Sequence, residues 1–334
     1  MGLTYLGLLP HHDQLYDYLK YEIQPLVRQW TNCAYRVYKY NASNDVYLYE
    51  EIHTGTKFIG KFFHSARRPN HTAAGQRMER EFHHLCYMRE LGFDHGFHYV
   101  ARPLGRNRDL NALLVIEFCY GEPLSGVITR AIRERNDALL FGKLTALAWF
   151  LSRFHNLTVN EYPVDFGEAY AYSGALISDV RRAGVANDGE AGELYWLRDR
   201  WAERPCMRED RQVIVHGDAT PENFLFGDDK YVITFDLERL RRADRVHDVG
   251  RVAGELAHFF MAATGDRGRA EPFIGHFLWE YACHFPDRAA AFNSITRRVP
   301  FYMGMNLLRI ARNGYLSWDY RKRLIYEGKQ CLKG

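Results

Sequence analysis

A change in hydrophobic pattern along the chain constrains the fold most strongly. Three short runs rich in Tyr, Val, Ile and Phe occupy Tyr35–Tyr40, Val46–Ile52 and Lys57–Phe63. These residue types favour strands, and the polar segments between the runs are typical of turns. We therefore predict an antiparallel meander near the N-terminus.

Helical spacing of apolar residues is found on both sides of this meander. Residues 11–30 and 76–91 follow that spacing, and Gly92 suits the end of the second helix. An apolar run at Ala112–Phe118 predicts one further strand, and Gly121-Glu-Pro123 interrupts the pattern after it.

The rest of the chain is predicted to be mainly helical. Helices are expected at 138–157, at 189–203 and from Val249 onward, and three short strands at Val213–Val215, Asn223–Phe226 and Tyr231–Phe235. This order predicts an α+β, two-lobed fold: a small antiparallel-sheet N-lobe over 1–119, with a helical extension at 1–30, and a larger, mainly helical C-lobe over 120–334. A chain of 334 residues has the length for two lobes.

Composition excludes several classes of protein. The chain is 47% hydrophobic with a net charge of only +3, which is unlike a disordered protein or a nucleic-acid binder with a dense basic footprint. The arginine-rich stretch 239–251 is interrupted by Asp244 and Asp248, which favours a solvated face. No apolar run has the length of a membrane span, and no signal peptide is recognisable. The six cysteines lack metal-site spacing. We expect a cytoplasmic protein with reduced thiols and no nucleic-acid or membrane partner.

The segment from Val213 to Glu238 carries the chemistry. His216, Asp218 and Asn223 lie on a predicted loop between strands, and Asp236 and Glu238 follow the next apolar run. Carboxylate and amide oxygens are the ligands that Mg²⁺ prefers. The residue types also permit a metal hydrolase, in which His216, Asp218 and Asp236 would hold metal ions that activate a water molecule.

The spacing of these residues resembles a known catalytic segment. His216-x-Asp218-x-x-x-x-Asn223, with Asp236 following 13 residues after Asn223, is similar to the catalytic loop and metal-binding aspartate of the protein-kinase-like superfamily. Gly217 and Asp236-Leu-Glu238 resemble the aminoglycoside phosphotransferase and choline kinase branch. That resemblance implies transfer of the γ-phosphate of ATP or GTP to a hydroxyl of a small molecule, such as an aminoglycoside, a sugar or an amino alcohol.

The resemblance also implies residue roles. Asp218 would be the catalytic base, and Asn223 and Asp236 would hold Mg²⁺ on the nucleotide phosphates. Glu238 would reach a second metal ion or a water in its shell. His216, His155 and Asp248 would be structural.

A nucleotide-binding lobe of this kind needs a strand lysine and a helix glutamate. Lys61 on the third predicted strand would contact the α- and β-phosphates, and Glu81 would hold it, with Glu79 as the competing partner. Ser43 would contribute to phosphate binding from the glycine-free loop 41–45. Backbone groups around Glu117, Phe118 and Cys119 would pair with the base edge.

Two alternatives stay open at this point. The glycine-free loop is compatible with a catalytically silent kinase fold used as a binding module. A protein kinase is the nearest enzymatic alternative, although Asp-Phe-Gly is replaced here and no Ala-Pro-Glu occurs.

The acceptor is constrained only by charge. Residues 289–334 hold nine basic residues against Asp319 and Glu327, which favours a neutral or anionic acceptor or simply a basic solvated face. Asp165, Glu168 and Asp248 are the acidic groups that would serve a cationic one.

Overall fold

The computed structural model describes residues 2–41, 45–66, 68–228 and 230–334. Its strands are β1 Leu3–Leu8, β2 Tyr35–Tyr40, β3 Asp45–Glu51, β4 Lys57–Phe62, β5 Asp94–His95, β6 His98–Val100, β7 Pro103–Asn107, β8 Leu113–Glu117, β9 Glu122–Pro123, β10 Val213–Val215, β11 Phe224–Phe226, β12 Val232–Thr234 and β13 Arg241–Ala243. Its α-helices are α1 Gln14–Tyr18, α2 Gln24–Val27, α3 His71–Met88, α4 Leu124–Glu134, α5 Asp137–Asn156, α6 Phe166–Arg182, α7 Asp188–Ala202, α8 Val246–Thr264, α9 Glu271–Ala282, α10 Arg288–Thr296, α11 Val299–Ala311 and α12 Trp318–Lys333.

The chain divides into two compact units. The first comprises Met1–Gly121 and Ile233–Arg239, and the second comprises Glu122–Val232 and Leu240–Gly334. The predicted α+β fold, with an antiparallel sheet in the N-terminal region and a helical C-terminal part, is confirmed.

The first unit is built on a sheet of order β1-β2-β3-β4-β8-β7, in which all neighbours are antiparallel. Tyr38 lies opposite Leu48, and Leu48 lies opposite Ile59. β4 occupies an interior position, because β3 and β8 pair with its two edges. A side chain on β4 is therefore held by a fully hydrogen-bonded strand.

The predicted helical extension over 1–30 is wrong in its first part. Residues Leu3–Leu8 form an edge strand that pairs with β2, and α1 and α2 follow it, joined by a π-helical turn at Leu19–Ile23. The side chains of this strand are mostly exposed, so their hydrophobic pattern does not reveal it. Backbone pairing with β2 stabilises it instead, with an irregularity between Tyr5 and Gly7.

The second unit is mainly helical. α5 and α7 lie within one or two residues of their predicted bounds. Two short strand pairs accompany the helices: β9 with β11, and β10 with β13. None of the helices that the structure describes is long and apolar enough to cross a membrane.

Helices α8 and α11 approach each other closely in this unit. A Cβ atom placed on Gly250 would lie 2.5 Å from Cβ of Tyr302, and one on Gly254 would lie 2.8 Å from Nδ2 of Asn306. Both distances are shorter than van der Waals contact, so the two glycines permit this packing.

Candidate active site

Lys61 lies at the centre of a charged cluster in the first unit. Its position on β4 leaves the residue only 7% exposed. Nζ is 2.6 Å from Oε2 of Glu81, 2.6 Å from Oδ1 of Asp236 and 3.5 Å from Oε2 of Glu238. Burial opposes the charge of Lys61, but these carboxylates outweigh it and raise its pKa. The ammonium group is therefore charged and fixed in place.

Glu81 reaches Lys61 because α3 places it on the buried helix face. Met78, Leu85 and Met88 share that face at helical spacing, and Asn70 caps the helix by accepting a hydrogen bond from the Ala73 amide at 3.0 Å. Glu79, the competing candidate, pairs with Arg106 at 2.5 Å. Burial, together with the charges of Asp236 and Glu238, outweighs Lys61 and raises the pKa of Glu81 to about 7.

Asp236 is held in an unusual backbone conformation. Its φ is 60°, in the left-handed region that few non-glycine residues adopt. The next residue is anchored to α3, since His84 Nδ1 donates a hydrogen bond to the carbonyl oxygen of Leu237 at 2.7 Å. Sequence reasoning missed this role of His84, although its position one turn after Glu81 was an available signal.

The carboxylates of this cluster suit a divalent cation. One oxygen from each of Glu81, Asp236 and Glu238 lies within 4.8 Å of the others. Among the described residues, Arg77 also lies near this group, with Nε 4.0 Å from Glu238. Hard carboxylate oxygens gathered in this way fit Mg²⁺.

The segment predicted to bind the nucleotide base ends β8. The backbone amide of Glu117 donates to Arg102 at 3.0 Å, so it is already engaged. Within the described residues the backbone of Cys119 makes no hydrogen bond, and burial raises the pKa of its thiol to about 12. Phe118 packs edge-on against Tyr120, with ring centroids 4.8 Å apart. Ser43 lies outside the described residues.

Asp218 and Asn223 belong to the second unit and lie on one loop. The Asn223 side-chain nitrogen donates to the carbonyl oxygen of Asp218 at 2.8 Å, which ties the two positions together. Gly217, between His216 and Asp218, has φ 77°, a conformation that favours glycine. The loop therefore has a fixed shape that its sequence spacing already suggested.

Asp248 holds this loop from beneath. Its carboxylate accepts hydrogen bonds from the backbone amides of His216 at 2.6 Å and Gly217 at 3.0 Å. His155 Nε2 lies 3.2 Å away and His247 Nδ1 3.3 Å away. Burial opposes ionisation, but the hydrogen bonds from the two histidines outweigh it and hold the pKa of Asp248 well below its usual range.

Asp218 also has a cationic partner that sequence reasoning missed. Arg251 Nη1 donates to Oδ1 of Asp218 at 2.6 Å and to the carbonyl oxygen of Gly217 at 2.9 Å. Its position three residues after Asp248, one helical turn along α8, was the only available signal.

Comparison with known proteins places this geometry in context. A model described as the phosphotransferase enzyme family matches residues 35–284. No curated protein sequence gives a significant match. Several solved structures share the fold at low sequence identity.

Three of those structures cover nearly the whole chain. Aminoglycoside phosphotransferase APH(2'')-Ib with ADP bound is 11% identical, with a TM-score of 0.60 over 96% of this chain and 97% of that one. An amicoumacin kinase in complex with AMP-PNP, Ca²⁺ and Ami is 17% identical, with a TM-score of 0.60 over 95% and 91%. The Plasmodium vivax ethanolamine kinase is 13% identical, with a TM-score of 0.61 over 97% and 89%. The shared fold is protein-kinase-like.

Proposed function

Since the chain belongs to the phosphotransferase enzyme family, we propose that it transfers the γ-phosphate of ATP or GTP to a hydroxyl of a small molecule, with Mg²⁺ as the metal ion. The observation that carries the proposal is the buried Lys61, held at 2.6 Å by both Glu81 and Asp236. A structural ion pair needs one carboxylate. A lysine held among three is arranged to meet the phosphates of a nucleotide.

Each residue then has one task. Lys61 contacts nucleotide phosphates, and Glu81 keeps its ammonium group in position. Asp236 and Glu238, together with the amide oxygen of Asn223, are the proposed ligands of Mg²⁺, which when bound neutralises charge on the transferred phosphoryl group. Asp218 orients the acceptor hydroxyl and accepts its proton.

A catalytically silent binding module is the alternative from another class. It would not need a lysine, a glutamate and an aspartate in contact with each other, nor an aspartate whose loop is fixed by Asp248. A metal hydrolase built on His216 has less support, because the His216 side chain is fully buried and its backbone amide is bound to Asp248.

The test is a thermal shift with ATP or GTP, with and without Mg²⁺. A nucleotide at 100 times its dissociation constant should add about 2.7 kcal/mol of apparent stability. We expect Asp236→Ala to abolish the Mg²⁺-dependent part of the shift. Asp109→Ala, at an exposed loop aspartate of the same unit, is the matched control.

The absence of a thermal shift would also be informative. If neither nucleotide shifts the melting temperature of the wild-type protein, the phosphotransferase proposal fails and the silent binding module takes its place.

A further inference from the structure

A second cluster of charged and polar side chains lies beside Asp218. We call it the arginine cluster: Tyr172 on α6, Arg251 and Glu255 on α8, and Asn306 and Arg309 on α11. Arg309 Nε donates to Oδ1 of Asn306 at 3.0 Å, and Arg309 Nη2 donates to Glu255. Asn306 Nδ2 donates to the same Glu255 oxygen at 3.1 Å.

Both arginines are little exposed, and Arg309 binds Glu255 one turn along α8 from Arg251. Arg251 is 4% exposed, and the side chain of Arg309 is 18% exposed. Burial, followed by the charge of Arg309, lowers the pKa of Arg251, even though Asp218 opposes the change. A buried guanidinium group whose charge is disfavoured in this way lacks sufficient negative charge around it.

Several donors of the cluster are also unused. Arg251 makes its hydrogen bonds through Nη1, and within the described residues its Nε and Nη2 make none. Arg309 likewise leaves Nη1 unused among those residues. The buried hydroxyl of Tyr172 has no partner in the described part of the chain. Tyr172 is close enough to both arginines to affect the pKa of each. An anion supplies acceptor atoms for all three groups.

The acidic groups that would serve a cationic acceptor are already engaged. Asp165 caps α6 by accepting from the Gly167 amide at 2.8 Å. Glu168 pairs with Arg241 at 2.7 Å. Asp248 is fully buried beneath the catalytic loop.

The basic residues of the C-terminal region are mostly explained by ion pairs. Arg298 binds Asp244 and Asp210 at 2.9 and 2.7 Å, Arg312 lies 3.3 Å from Asp179, and Lys322 lies 2.7 Å from Glu190. The excess of basic residues over 289–334 therefore does not by itself define an acceptor. Arg309 differs from the others because its partner Glu255 lies one turn along α8 from Arg251, which binds Asp218.

We propose that the arginine cluster binds an anionic group of the acceptor, so that the substrate is a small hydroxyl compound carrying a carboxylate or a phosphate. The inference rests on the proposed function, because it assumes that Asp218 receives an acceptor hydroxyl. Planar guanidinium groups bind both kinds of oxyanion through paired N–H donors.

The first test measures anion binding without nucleotide. Acetate and inorganic phosphate are titrated against the protein at constant ionic strength, with tetramethylammonium chloride as the cation probe, and the melting temperature is recorded. We expect saturable stabilisation by at least one of the anions, and the stronger one identifies carboxylate or phosphate as the preferred group. Losing one charged donor in Arg309→Met should weaken this binding about 10- to 100-fold.

Matched variants separate binding from folding. Arg312→Met, at the residue that follows the end of α11, should bind the anion like wild type. Glu255→Gln removes the negative charge that competes for Arg309, so it should bind the anion several-fold more tightly. Arg309→Lys keeps the charge without the planar fork, and it should bind with intermediate affinity.

The proposal is overturned if the Arg309 and Arg312 variants respond equally to both anions, or if only the cation stabilises the protein. Turnover supplies a second criterion: glucuronate and glucose 6-phosphate should stimulate nucleotide-dependent ADP release more than glucosamine, and the reverse order contradicts the proposal. If nucleotide raises the melting temperature but the protein prefers cationic over anionic compounds, only this inference is rejected. If nucleotide does not raise the melting temperature, the proposed function is rejected.

Discussion

At the scale of single residues, the reactive groups are held in position by neighbouring side chains. Lys61 is held from both sides by carboxylates, and the loop bearing Asp218 is held by Asp248 through two backbone amides. Position, more than unusual reactivity, is what phosphoryl transfer requires.

Asp218→Asn tests the proposed base. The amide keeps the size of the side chain but accepts no proton, so the turnover number should fall about 100- to 10,000-fold. Because Asp218 is not proposed to contact the nucleotide, the nucleotide-induced thermal shift should persist. Steady-state kinetics and the thermal shift are measured on the same preparation. Turnover within about threefold of wild type would remove Asp218 from the reaction.

Asp248→Asn tests the support beneath the loop. An amide in this position turns an acceptor into a donor opposite buried N–H groups, and breaking a buried charged network costs about 3 kcal/mol or more. The urea midpoint, followed by tryptophan fluorescence, should fall accordingly. Asp188→Asn is the control, since its side chain is 83% exposed and its ion pair contributes less than about 1 kcal/mol. Equal midpoints for the two variants would contradict the role of Asp248.

At the scale of secondary-structure elements, the sequence predicted the strands and helices that have a clear hydrophobic period, and it missed the edge strands. β4 and α5 are interior elements whose apolar residues reveal their period, so their bounds were predicted to within a residue. β1 and β7 are edge strands. One is mostly exposed and the other contains proline, glycine and asparagine, so pairing rather than pattern defines them.

The same distinction applies to the candidate site. The spacing of His216, Asp218 and Asn223 is local, and it was recognisable in the sequence. The approach of Arg251 to Arg309 was not, because 58 positions separate them and only the packing of α8 on α11 brings them together.

The close packing of α8 on α11 is tested with a pair of glycine substitutions. Alanine at Gly250 would place Cβ 2.5 Å from Cβ of Tyr302, so Gly250→Ala should destabilise the protein by about 1–3 kcal/mol despite the better helix propensity of alanine. Gly142 on α5 is exposed with nothing within 4 Å of an added Cβ. Gly142→Ala should therefore stabilise the protein by up to about 1 kcal/mol. Chemical denaturation of both variants measures the difference, and shifts of the same sign would refute the packing argument.

At the scale of the whole molecule, buried neutral histidines make stability depend on pH. Burial lowers the pKa of His247 to about 4, an effect that Arg251 and Arg241 reinforce and Asp248 only partly offsets. Burial also lowers the pKa of His155. An unfolded chain takes up protons on these histidines below about pH 6.5, whereas the folded chain does not.

The contribution of these histidines to stability should therefore be constant above about pH 6.5 and fall as the pH approaches 4, whereas the raised pKa of Glu81 acts in the opposite direction between about pH 4.5 and 7. For His247 alone the loss is about 3 kcal/mol across that window. Melting temperatures of the wild type and His247→Gln from pH 8 to pH 4 test this, because the wild type should lose stability relative to the variant as the pH falls below about 6.5. Identical pH dependence of the wild type and His247→Gln would show that the His247 imidazole is protonated at no cost in the fold.

Helix α8 serves several tasks at once, and this limits how the protein can evolve. One face of this helix carries both the aspartate that fixes the catalytic loop and two members of the arginine cluster, and two glycines adapt the helix to α11. A mutation there that altered acceptor choice would also affect stability, and a chain with a limited margin tolerates few such changes. New acceptor preferences should therefore arise first on α6, because Tyr172 is replaceable without disturbing the loop contact of Asp248 or the packing of α8 on α11. Helix α8 should be the last element of the family to diverge.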